Sequence, residues 1–276
     1  MSSDNLPVAL VTGGSAGLGW MIARTFLQNG YRVMIVGRDQ QRLDDASNRL
    51  QAEGISSQCI ATIAANLTKT SEATRVVESV NQQFQQLDVL VNCVGKSDRG
   101  FVHQLDADTL HNLFQQNVTT ALLCSQAAIP LLESSKGAIV NIGSLASKVG
   151  ARYIGGYSAA KHALAGMTQQ MRLELRPKGI HVGLVSPGPI KRDDAGQRYV
   201  EKLSNDLPEQ ASKPGAGTRV KGLSPERVAK AVLDCARKRK PDVVLPGHMR
   251  VLIALGHAFP RLGDWLLLKF TSGGDH

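Results

Sequence analysis

The sequence predicts a doubly wound parallel α/β domain of seven strands, followed by a helical extension at the C-terminus. Short β-branched runs alternate with longer helical patterns along the first 245 residues, the order expected of a parallel sheet with crossover helices on both faces. The runs are apolar almost throughout, as strands buried on both faces are. With 276 residues, 42% hydrophobic and 20% charged, the chain can bury one substantial core. Disordered, collagen-like and coiled-coil chains are excluded by this composition.

Each element has its own signal. The β-branched runs predicted as strands are residues 7–12, 31–36, 57–63, 87–92, 137–142, 180–186 and 242–245. The periodic stretches predicted as helices are residues 17–29, 39–53, 70–86, 106–132, 152–175 and 224–239. Several of these helices begin at a residue that commonly caps a helix: Asp39, Asp106 and Ser224.

Two segments interrupt the alternation. Residues 191–223 are long, polar and broken by prolines and glycines, which predicts a loop that acts as a lid over a bound ligand. Residues 249–270 are rich in Leu and Ile but contain a proline and charged residues, which predicts two short amphipathic helices and not a membrane span. We therefore expect a main domain over residues 1–247 and an amphipathic extension over residues 248–276.

The net charge of +9 is concentrated in one part of the chain. Residues 176–250 carry 16 basic and 8 acidic side chains, whereas the two signs nearly balance elsewhere. Such a region suits an anionic ligand, an anionic surface or a solvated lid, and the solvated lid is the simplest of the three. The region lacks interleaved aromatic residues and a recognition motif, so we expect no nucleic-acid partner.

The cysteines predict a reducing environment. They lie at least 31 residues apart, without a CxxC pair, in apolar stretches: Cys59, Cys93, Cys124 and Cys235. No set of His, Cys and carboxylate residues has the spacing of metal ligands, so no metal is expected.

The chain carries no secretory or membrane-spanning signal. Its N-terminus lacks the basic-then-apolar order of a signal peptide, and no run of 18 apolar residues occurs. We expect a cytoplasmic protein. For the extension, two interpretations stay open, namely a tail that caps the core or a subunit interface, and peripheral membrane contact through Leu262, Trp265, Leu266 and Phe270.

A glycine-rich turn follows the first predicted strand. The segment Thr12-Gly13-Gly14-Ser15-Ala16-Gly17-Leu18-Gly19 leads directly into a helix. Glycines let the backbone turn sharply and approach a pyrophosphate, while free N–H groups and the helix dipole hold its charge. The strand before and the helix after make this a Rossmann-type dinucleotide site. A Walker-type loop is excluded because no Gly-Lys-Ser/Thr follows.

The end of the second strand predicts the phosphorylated cofactor. An acidic residue would be needed there to bind both ribose hydroxyls of NAD, and none is present. Gly37 leaves room, and Arg38 offers a planar set of donors suited to a 2′-phosphate. The sequence therefore predicts NADP(H).

Three side chains predict chemistry beside this site. Tyr157 and Lys161 are four apart in a helical stretch, so they project from one face about 6 Å apart. Ser144 lies just beyond a strand end, at the edge where open α/β sheets bind ligands. Reduction of a carbonyl by hydride needs a proton for the developing alkoxide, and a phenol of pKa about 10 supplies it poorly at pH 7. Lys161 would lower that pKa, and Ser144 would hold the substrate oxygen.

An alternative is that Ser144 is the nucleophile of a hydrolase. A nucleophile elbow has the pattern Gly-x-Ser-x-Gly, and Gly143-Ser144-Leu145 is not followed by the second glycine. The hydrolase is therefore disfavoured.

Over roughly residues 6–246 the chain resembles the short-chain dehydrogenase/reductase family. Thr12-x-x-x-Gly17-x-Gly19 resembles its cofactor loop, and Leu90-Val91-Asn92-Cys93-Val94-Gly95 resembles its Asn-Asn-Ala-Gly segment. Pro187-Gly188 resembles its Pro-Gly turn. Four residues fall where the catalytic tetrad of the family falls: Asn117, Ser144, Tyr157 and Lys161.

The resemblance implies roles for these residues. Lys161 would also bind the nicotinamide ribose, and Asn117 would support a water through which protons reach Lys161. Cofactor contacts are implied for the glycine loop, the strand ends, the catalytic pair and the Pro-Gly turn: Gly13, Ser15, Gly17, Leu18, Gly19, Arg38, Asn66, Leu67, Asn92, Val94, Gly95, Tyr157, Lys161, Pro187, Gly188 and Ile190. Residues 1–247 would then be an NADP-binding catalytic domain, with residues 191–223 as its substrate lid.

Three positions depart from the family pattern. Asn66 stands where an Asp usually accepts from the adenine amino group, and its carbonyl oxygen can still accept. Arg192 replaces a Thr after the Pro-Gly turn, and could bind the cofactor phosphates or belong to the basic lid. Cys93-Val94 replaces Asn-Ala, a small apolar change that we interpret as packing.

The predicted function is an NADPH-dependent reductase of a ketone or aldehyde, with a 3-oxoacyl or other lipid-like carbonyl favoured by the basic region and the apolar tail. Alternatives are an NADP-dependent alcohol, hydroxysteroid or retinol-type dehydrogenase working in the oxidative direction, and a non-catalytic NADP-binding regulator. The resemblance also implies a homodimer or homotetramer formed through the helices of residues 106–132 and 152–175.

Overall fold

The computed structural model describes residues 6–191 and 207–271, and its seven strands form one parallel sheet. The strands are β1 (Val8–Thr12), β2 (Arg32–Gly37), β3 (Ile60–Ala64), β4 (Val89–Asn92), β5 (Ala138–Ile142), β6 (His181–Pro187) and β7 (Asp242–Leu245). Their order across the sheet is β3-β2-β1-β4-β5-β6-β7, and every pairing is parallel. The predicted strand set is confirmed, with β3 starting three residues later than expected.

Helices connect and cover the strands. They are α1 (Gly17–Gln28), α2 (Gln40–Ala52), α3 (Thr70–Phe84), α4 (Ala107–Phe114), α5 (Thr120–Ser135), α6 (Tyr157–Leu175), α7 (Pro225–Arg237), α8 (Met249–Ala258) and α9 (Pro260–Thr271). Asp39, Asp106 and Ser224 each accept a backbone N–H at the start of a helix, as their residue types predicted.

Two apolar layers cover the sheet. Alternate residues of β1 face opposite sides: Ala9 and Val11 pack in the layer of α1, α2 and α7, whereas Val8 and Leu10 pack in the layer of α3, α5 and α6. All four are fully buried, which explains why the run is apolar without alternation. Helices on both faces of a parallel sheet confirm the doubly wound fold.

The strand order fixes where a ligand can bind. The chain proceeds outward from β1 to β3 in one direction and returns to continue from β4 to β7 in the other. The carboxyl ends of β1 and β4 therefore flank the crevice that such a switch in direction opens.

The single helix predicted over residues 106–132 is interrupted in the structure. Between α4 and α5 the residues Gln115–Thr119 form a π-helical turn. The continuous apolar pattern did not reveal it, because a π turn inserts its extra residue without changing the residue types on either side.

The helix predicted over residues 152–175 begins five residues late, at Tyr157. Tyr153 and Gly155 adopt positive φ values of 64° and 50°, which are incompatible with a right-handed helix. The intervening turn places Tyr157 at the first position of α6.

The segment after β6 is described on either side of residues 192–206, so the prediction for Arg192 lies outside the described residues. A parallel bridge between Ile190 and Leu223 closes its base. Residues beyond the gap bury apolar side chains against the main domain: Leu207, Ala211 and Ala216.

The C-terminal extension forms a hairpin of α8 and α9. The two helices approach closely at Gly256 and Gly263, where a Cβ on Gly263 would lie 2.8 Å from the Gly256 carbonyl oxygen. The two short helices predicted from the sequence are thus present. None of the helices in the described ranges combines the length and apolarity needed to cross a bilayer.

Candidate active site

A cleft of about 2180 Å³ lies at the carboxyl edge of the sheet. It extends from the glycine-rich turn and the end of β2, past the end of β4 and the segment after β5, to the C-terminal hairpin. All predicted catalytic and cofactor residues line it except Asn92 and Asn117.

The glycine-rich turn has the geometry of an anion cradle. Gly13 and Gly17 have φ values of +70° and +54°, a region that side chains with a Cβ rarely adopt. A Cβ at Gly19 would collide with the carbonyl oxygen of Gly13. Ala16 precedes the first turn of α1 and supplies no side-chain cap, so the N–H groups there are left for a ligand. These features fit a bound dinucleotide pyrophosphate.

Thr12 joins the two strand ends that flank the crevice. Its Oγ1 donates to the Val91 carbonyl oxygen at 3.3 Å and accepts from the backbone nitrogens of Cys93 at 3.0 Å and Val94 at 3.3 Å. From the sequence, Thr12 was predicted only to begin the glycine motif. The sequence feature that could have indicated this role is a polar side chain at the end of a buried strand.

Arg38 is exposed at the end of β2 and faces the cleft beside Gly37. Within residues 6–191 and 207–271 it makes no hydrogen bond or ion pair, so its guanidinium can receive a phosphate. Asn66, across the same end of the cleft, accepts on Oδ1 from the Thr68 nitrogen at 3.3 Å and hydroxyl at 2.9 Å.

Lys161 is buried at the centre of the cleft wall, with 3% of its surface exposed. Its Nζ donates to the Ile142 carbonyl oxygen at 2.9 Å and lies 5.8 Å from the centre of the Tyr157 ring. Burial lowers the pKa of Lys161 from 10.5 to about 8, and the nearby Cys93 opposes that shift. The ammonium and the phenol ring are thus held side by side, at the separation that the i, i+4 spacing predicted.

Asn117 lies behind this wall, in the π-helical turn, and is fully buried. Its Nδ2 donates to the carbonyl oxygens of Lys96 and Leu113, both at 2.9 Å, and its Oδ1 accepts from the Lys96 nitrogen at 3.3 Å. A Cβ on Gly95 would lie 2.8 Å from Asn117 Oδ1 and 3.3 Å from Lys161 Nζ. Asn117 therefore fixes the backbone that adjoins Lys161, and Gly95 is required by this packing.

Ser144 has extended backbone and caps a short helical turn. Its Oγ accepts from the Ala146 nitrogen at 3.1 Å, while Ser147 Oγ accepts from the Ser144 nitrogen at 2.9 Å. No described residue accepts the Ser144 hydroxyl proton, so this group can donate to a ligand in the cleft.

Ser158 ties the start of α6 to the segment after Ser144. Its hydroxyl lies within hydrogen-bond distance of two carbonyl oxygens, 3.1 Å from that of Ala146 and 3.2 Å from that of Val149. This contact sets the position of Tyr157 relative to Ser144, and sequence reasoning missed it. The sequence feature that could have indicated this contact is a polar residue, Ser158, one position after the start of α6.

Asn92 does not line the cleft. Its side chain is buried behind the cleft, where Nδ2 donates to Asn141 Oδ1 at 2.8 Å and Ser125 Oγ at 3.1 Å. Asn141 in turn donates to Thr168 Oγ1 at 2.9 Å. Its amide therefore joins β4, β5 and α5, and the cofactor contact of Asn92 stays a prediction.

Arg99 anchors the segment after β6 beside the predicted catalytic residues. Its guanidinium donates to the carbonyl oxygens of Ala211 at 2.6 Å, Asp98 at 2.7 Å and Lys213 at 3.4 Å. The side chain is almost fully buried. The apolar residues of that segment share a small core cluster with Ile154 and border Tyr157. Sequence analysis did not single out Arg99.

The C-terminal hairpin closes the far end of the cleft. His257 Nε2 lies 2.7 Å from the Lys148 carbonyl oxygen, and Lys148 forms a 3.1 Å ion pair with Asp242. Arg250 donates to the Asp242 carbonyl oxygen at 2.6 Å. The face turned toward the cleft is mostly apolar: Met249, Leu252, Ile253, Leu266 and Leu267.

Comparison with known proteins agrees with this architecture. The family model described as short chain dehydrogenase matches residues 7–202. The chain is 33% identical over 228 residues to 2-(S)-hydroxypropyl-CoM dehydrogenase 3 of Xanthobacter autotrophicus, covering 82% of this chain and 88% of that protein. It is 31% identical over 229 residues to 3alpha-hydroxysteroid dehydrogenase of Mediterraneibacter gnavus, with the same two shares.

Among solved structures, the chain is similar to a point variant of actinorhodin polyketide ketoreductase crystallised with NADPH. The TM-score is 0.76 at 26% identity, over 90% of this chain and 98% of that chain. With the family model covering most of the sheet and with relatives above 30% identity, the chain belongs to the short-chain dehydrogenase/reductase family and is an oxidoreductase acting on CH–OH groups.

Proposed function

We propose that the protein is an NADPH-dependent reductase that converts a ketone or aldehyde to an alcohol. One observation carries this proposal. The buried ammonium of Lys161 lies beside the Tyr157 ring, in the same cleft as the glycine cradle and the donor hydroxyl of Ser144.

The side chains divide the chemistry between them. The bound nicotinamide supplies the hydride. Ser144 donates a hydrogen bond to the substrate oxygen, and Tyr157 gives that oxygen its proton. The Lys161 ammonium lies beside the Tyr157 ring, and a positive charge stabilises a phenolate more than a neutral phenol. Lys161 therefore favours the phenolate that remains after proton transfer.

Asn117 acts indirectly, through the backbone next to Lys161. Its hydrogen bonds hold the Lys96 backbone next to Gly95 and Lys161. It keeps the Lys161 wall of the cleft in place, and the proton relay implied by the family resemblance would start from this position.

We assign the preference for NADP(H) over NAD(H) to Arg38. Its exposed guanidinium lines the cleft at the end of β2, residues 37 and 38 include no carboxylate, and the similar polyketide ketoreductase was crystallised with NADPH. Replacing Arg38 with Asp should lower kcat/KM for NADPH at least tenfold and raise the relative use of NADH. An unchanged NADPH-to-NADH ratio would contradict the assignment.

The substrate is proposed to carry an apolar portion. The cleft between Ser144 and the hairpin is lined by aliphatic side chains, which suits a 3-oxoacyl or other lipid-like carbonyl. The test is a panel of ketones and aldehydes, with and without long apolar chains, followed by loss of the NADPH absorbance band. Tight NADPH binding without turnover of any member would favour a non-catalytic regulator.

Oxidation of an alcohol is the second candidate. Two relatives at 31% and 33% identity are named as dehydrogenases, and the same residues serve the reverse reaction. Comparing kcat/KM for the best carbonyl and its alcohol, at matched cofactor saturation, decides between the directions.

We also propose that the protein is cytoplasmic, with peripheral contact to a membrane, and forms a dimer or tetramer through α4, α5 and α6. Sedimentation velocity at several concentrations tests the assembly, and a monomer at every concentration would contradict it.

A further inference from the structure

The outer face of the hairpin is a concentrated apolar surface. Eight large hydrophobic side chains are exposed in the described part of the chain, and six of them lie here: Val251, Leu255, Phe259, Leu262, Trp265 and Leu268. Val251 and Phe259 are 62% and 61% exposed, and Trp265 is 53% exposed. An exposed patch of this kind, as opposed to scattered single residues, marks an interaction site.

The spacing of these residues gives each helix one outward stripe. Val251 and Leu255 are four apart in α8, and Leu262, Trp265 and Leu268 are three apart in α9. The opposite face of each helix lines the cleft. The hairpin is therefore apolar on both sides, with the cleft on one side and no described residue covering the other.

The charges around the stripe are basic. Arg261 and Lys269 are exposed. Arg250 is exposed too but forms a 3.6 Å ion pair with Asp242, and the exposed Asp264 lies among the residues that line the cleft. The Lys269 ammonium lies 4.8 Å above the centre of the Trp265 ring. A tryptophan with a basic side chain over it suits a boundary that is apolar on one side and wet on the other.

We propose that this face docks on an anionic lipid bilayer, with α8 and α9 lying in the plane of the surface. The apolar stripes would enter the boundary between headgroups and acyl chains, and the basic side chains would meet lipid phosphates. A second copy is a poorer occupant. A two-fold contact through this face would bring Arg261 and Lys269 against an equally basic rim. The inference concerns the outer surface and does not rest on the proposed reaction.

The test is co-sedimentation of the full-length protein with vesicles of phosphatidylcholine, with and without phosphatidylglycerol. The wild-type protein should bind the anionic vesicles, and more weakly as salt is raised. Replacing Phe259 and Trp265 together with Ser should lower the partition coefficient at least about tenfold, because two large side chains no longer leave water. Val102→Ser is the matched control, since Val102 is 71% exposed but lies outside the hairpin, and should bind like the wild type.

Thermal melting and NADPH binding, recorded for each variant, establish that it is folded. Absence of wild-type binding to anionic vesicles, or equal binding by the double variant, would overturn the proposal. A double variant that loses a dimer in sedimentation velocity, while the wild type does not bind vesicles, would assign the face to a second copy of the chain. None of these readouts needs a substrate, so a failed substrate panel leaves the test intact.

Discussion

Lys161 carries the largest electrostatic cost in the site. It is buried, and its pKa is lowered from 10.5 to about 8 mainly by loss of solvation. Both the folded and the unfolded protein hold this proton below pH 8, so the folded state bears the full cost of the buried charge there. That cost is on the order of 3 kcal/mol, before the hydrogen bond to Ile142 offsets part of it.

Replacing Lys161 with Met should therefore raise the free energy of unfolding at pH 7 while abolishing activity. Between about pH 8 and 10.5 the unfolded lysine keeps its proton and the folded one does not, so wild-type stability should rise relative to the variant across this window. Urea unfolding of both proteins at pH 7, 8, 9 and 10 measures the difference. A variant less stable than the wild type at pH 7, with a constant difference at higher pH, would contradict the shifted pKa.

Gly95 is a second position at which one added carbon atom should affect activity. A methyl group there would press on Asn117 Oδ1 and Lys161 Nζ, both held by hydrogen bonds. Gly95→Ala should lower kcat at least tenfold with a smaller effect on thermal stability. Gly166→Ala, in α6 with open space around its Cα, is the control and should leave activity unchanged and stability equal or higher. Equal activity of the two variants would show that the packing at Gly95 is not tight.

Among the elements, the segment after β6 is held over the cleft in part by the Arg99 guanidinium. Arg99 reaches three backbone carbonyl groups, two of them more than 100 residues away in the sequence. Arg99→Met should free this segment, raise KM for the substrate at least about fivefold, and leave NADPH affinity unchanged. Arg99→Lys should recover part of the loss, because an ammonium can reach only some of the carbonyls. Faster limited proteolysis between residues 207 and 217 in the Met variant would show the same release. A KM that does not change would contradict the anchoring role.

The element boundaries show what the sequence can and cannot reveal. The strands were predictable because each is an apolar run with a glycine or polar boundary. The π-helical turn at Gln115–Thr119 was not, because no residue pattern distinguishes it from the helices on either side, although Asn117 within it bonds to Lys96 and Leu113. The late start of α6 was likewise hidden, since Tyr153 at φ +64° is a conformation no residue preference announces. The cleft brings the motif residues together except Asn92 and Asn117. Sequence motifs did not reveal Arg99, which bonds to residues more than 100 positions away, or Ser158, whose contacts are 9 and 12 residues away.

In the whole molecule, the polar contacts that join the extension to the domain include the side-chain hydrogen bonds of His257 and Arg250. They connect α8 to Lys148 and Asp242. Ending the chain after Gly247 should leave the sheet folded, with NADPH affinity within about threefold of the full-length protein. KM for a carbonyl with a long apolar chain should rise, while KM for a small ketone should not. Loss of NADPH binding on truncation would show that the extension supports the domain itself.

The doubly wound fold was predictable at this scale because alternation of strands and helices and the glycine turn agree with each other. The orientation of the extension could not be predicted from the sequence. Both faces of α8 and α9 are apolar, so hydrophobic periodicity alone does not tell which face lines the cleft and which faces outward.

In the proposed reaction, Tyr157 gives its proton to a substrate oxygen beside Lys161. The most direct test is kcat of the Tyr157→Phe variant with the best carbonyl substrate, measured alongside its NADPH dissociation constant. We predict a fall in kcat of at least about 100-fold with unchanged NADPH binding, since only the acidic hydroxyl is removed. More than about 5% residual turnover with intact cofactor binding would contradict Tyr157 as the proton donor.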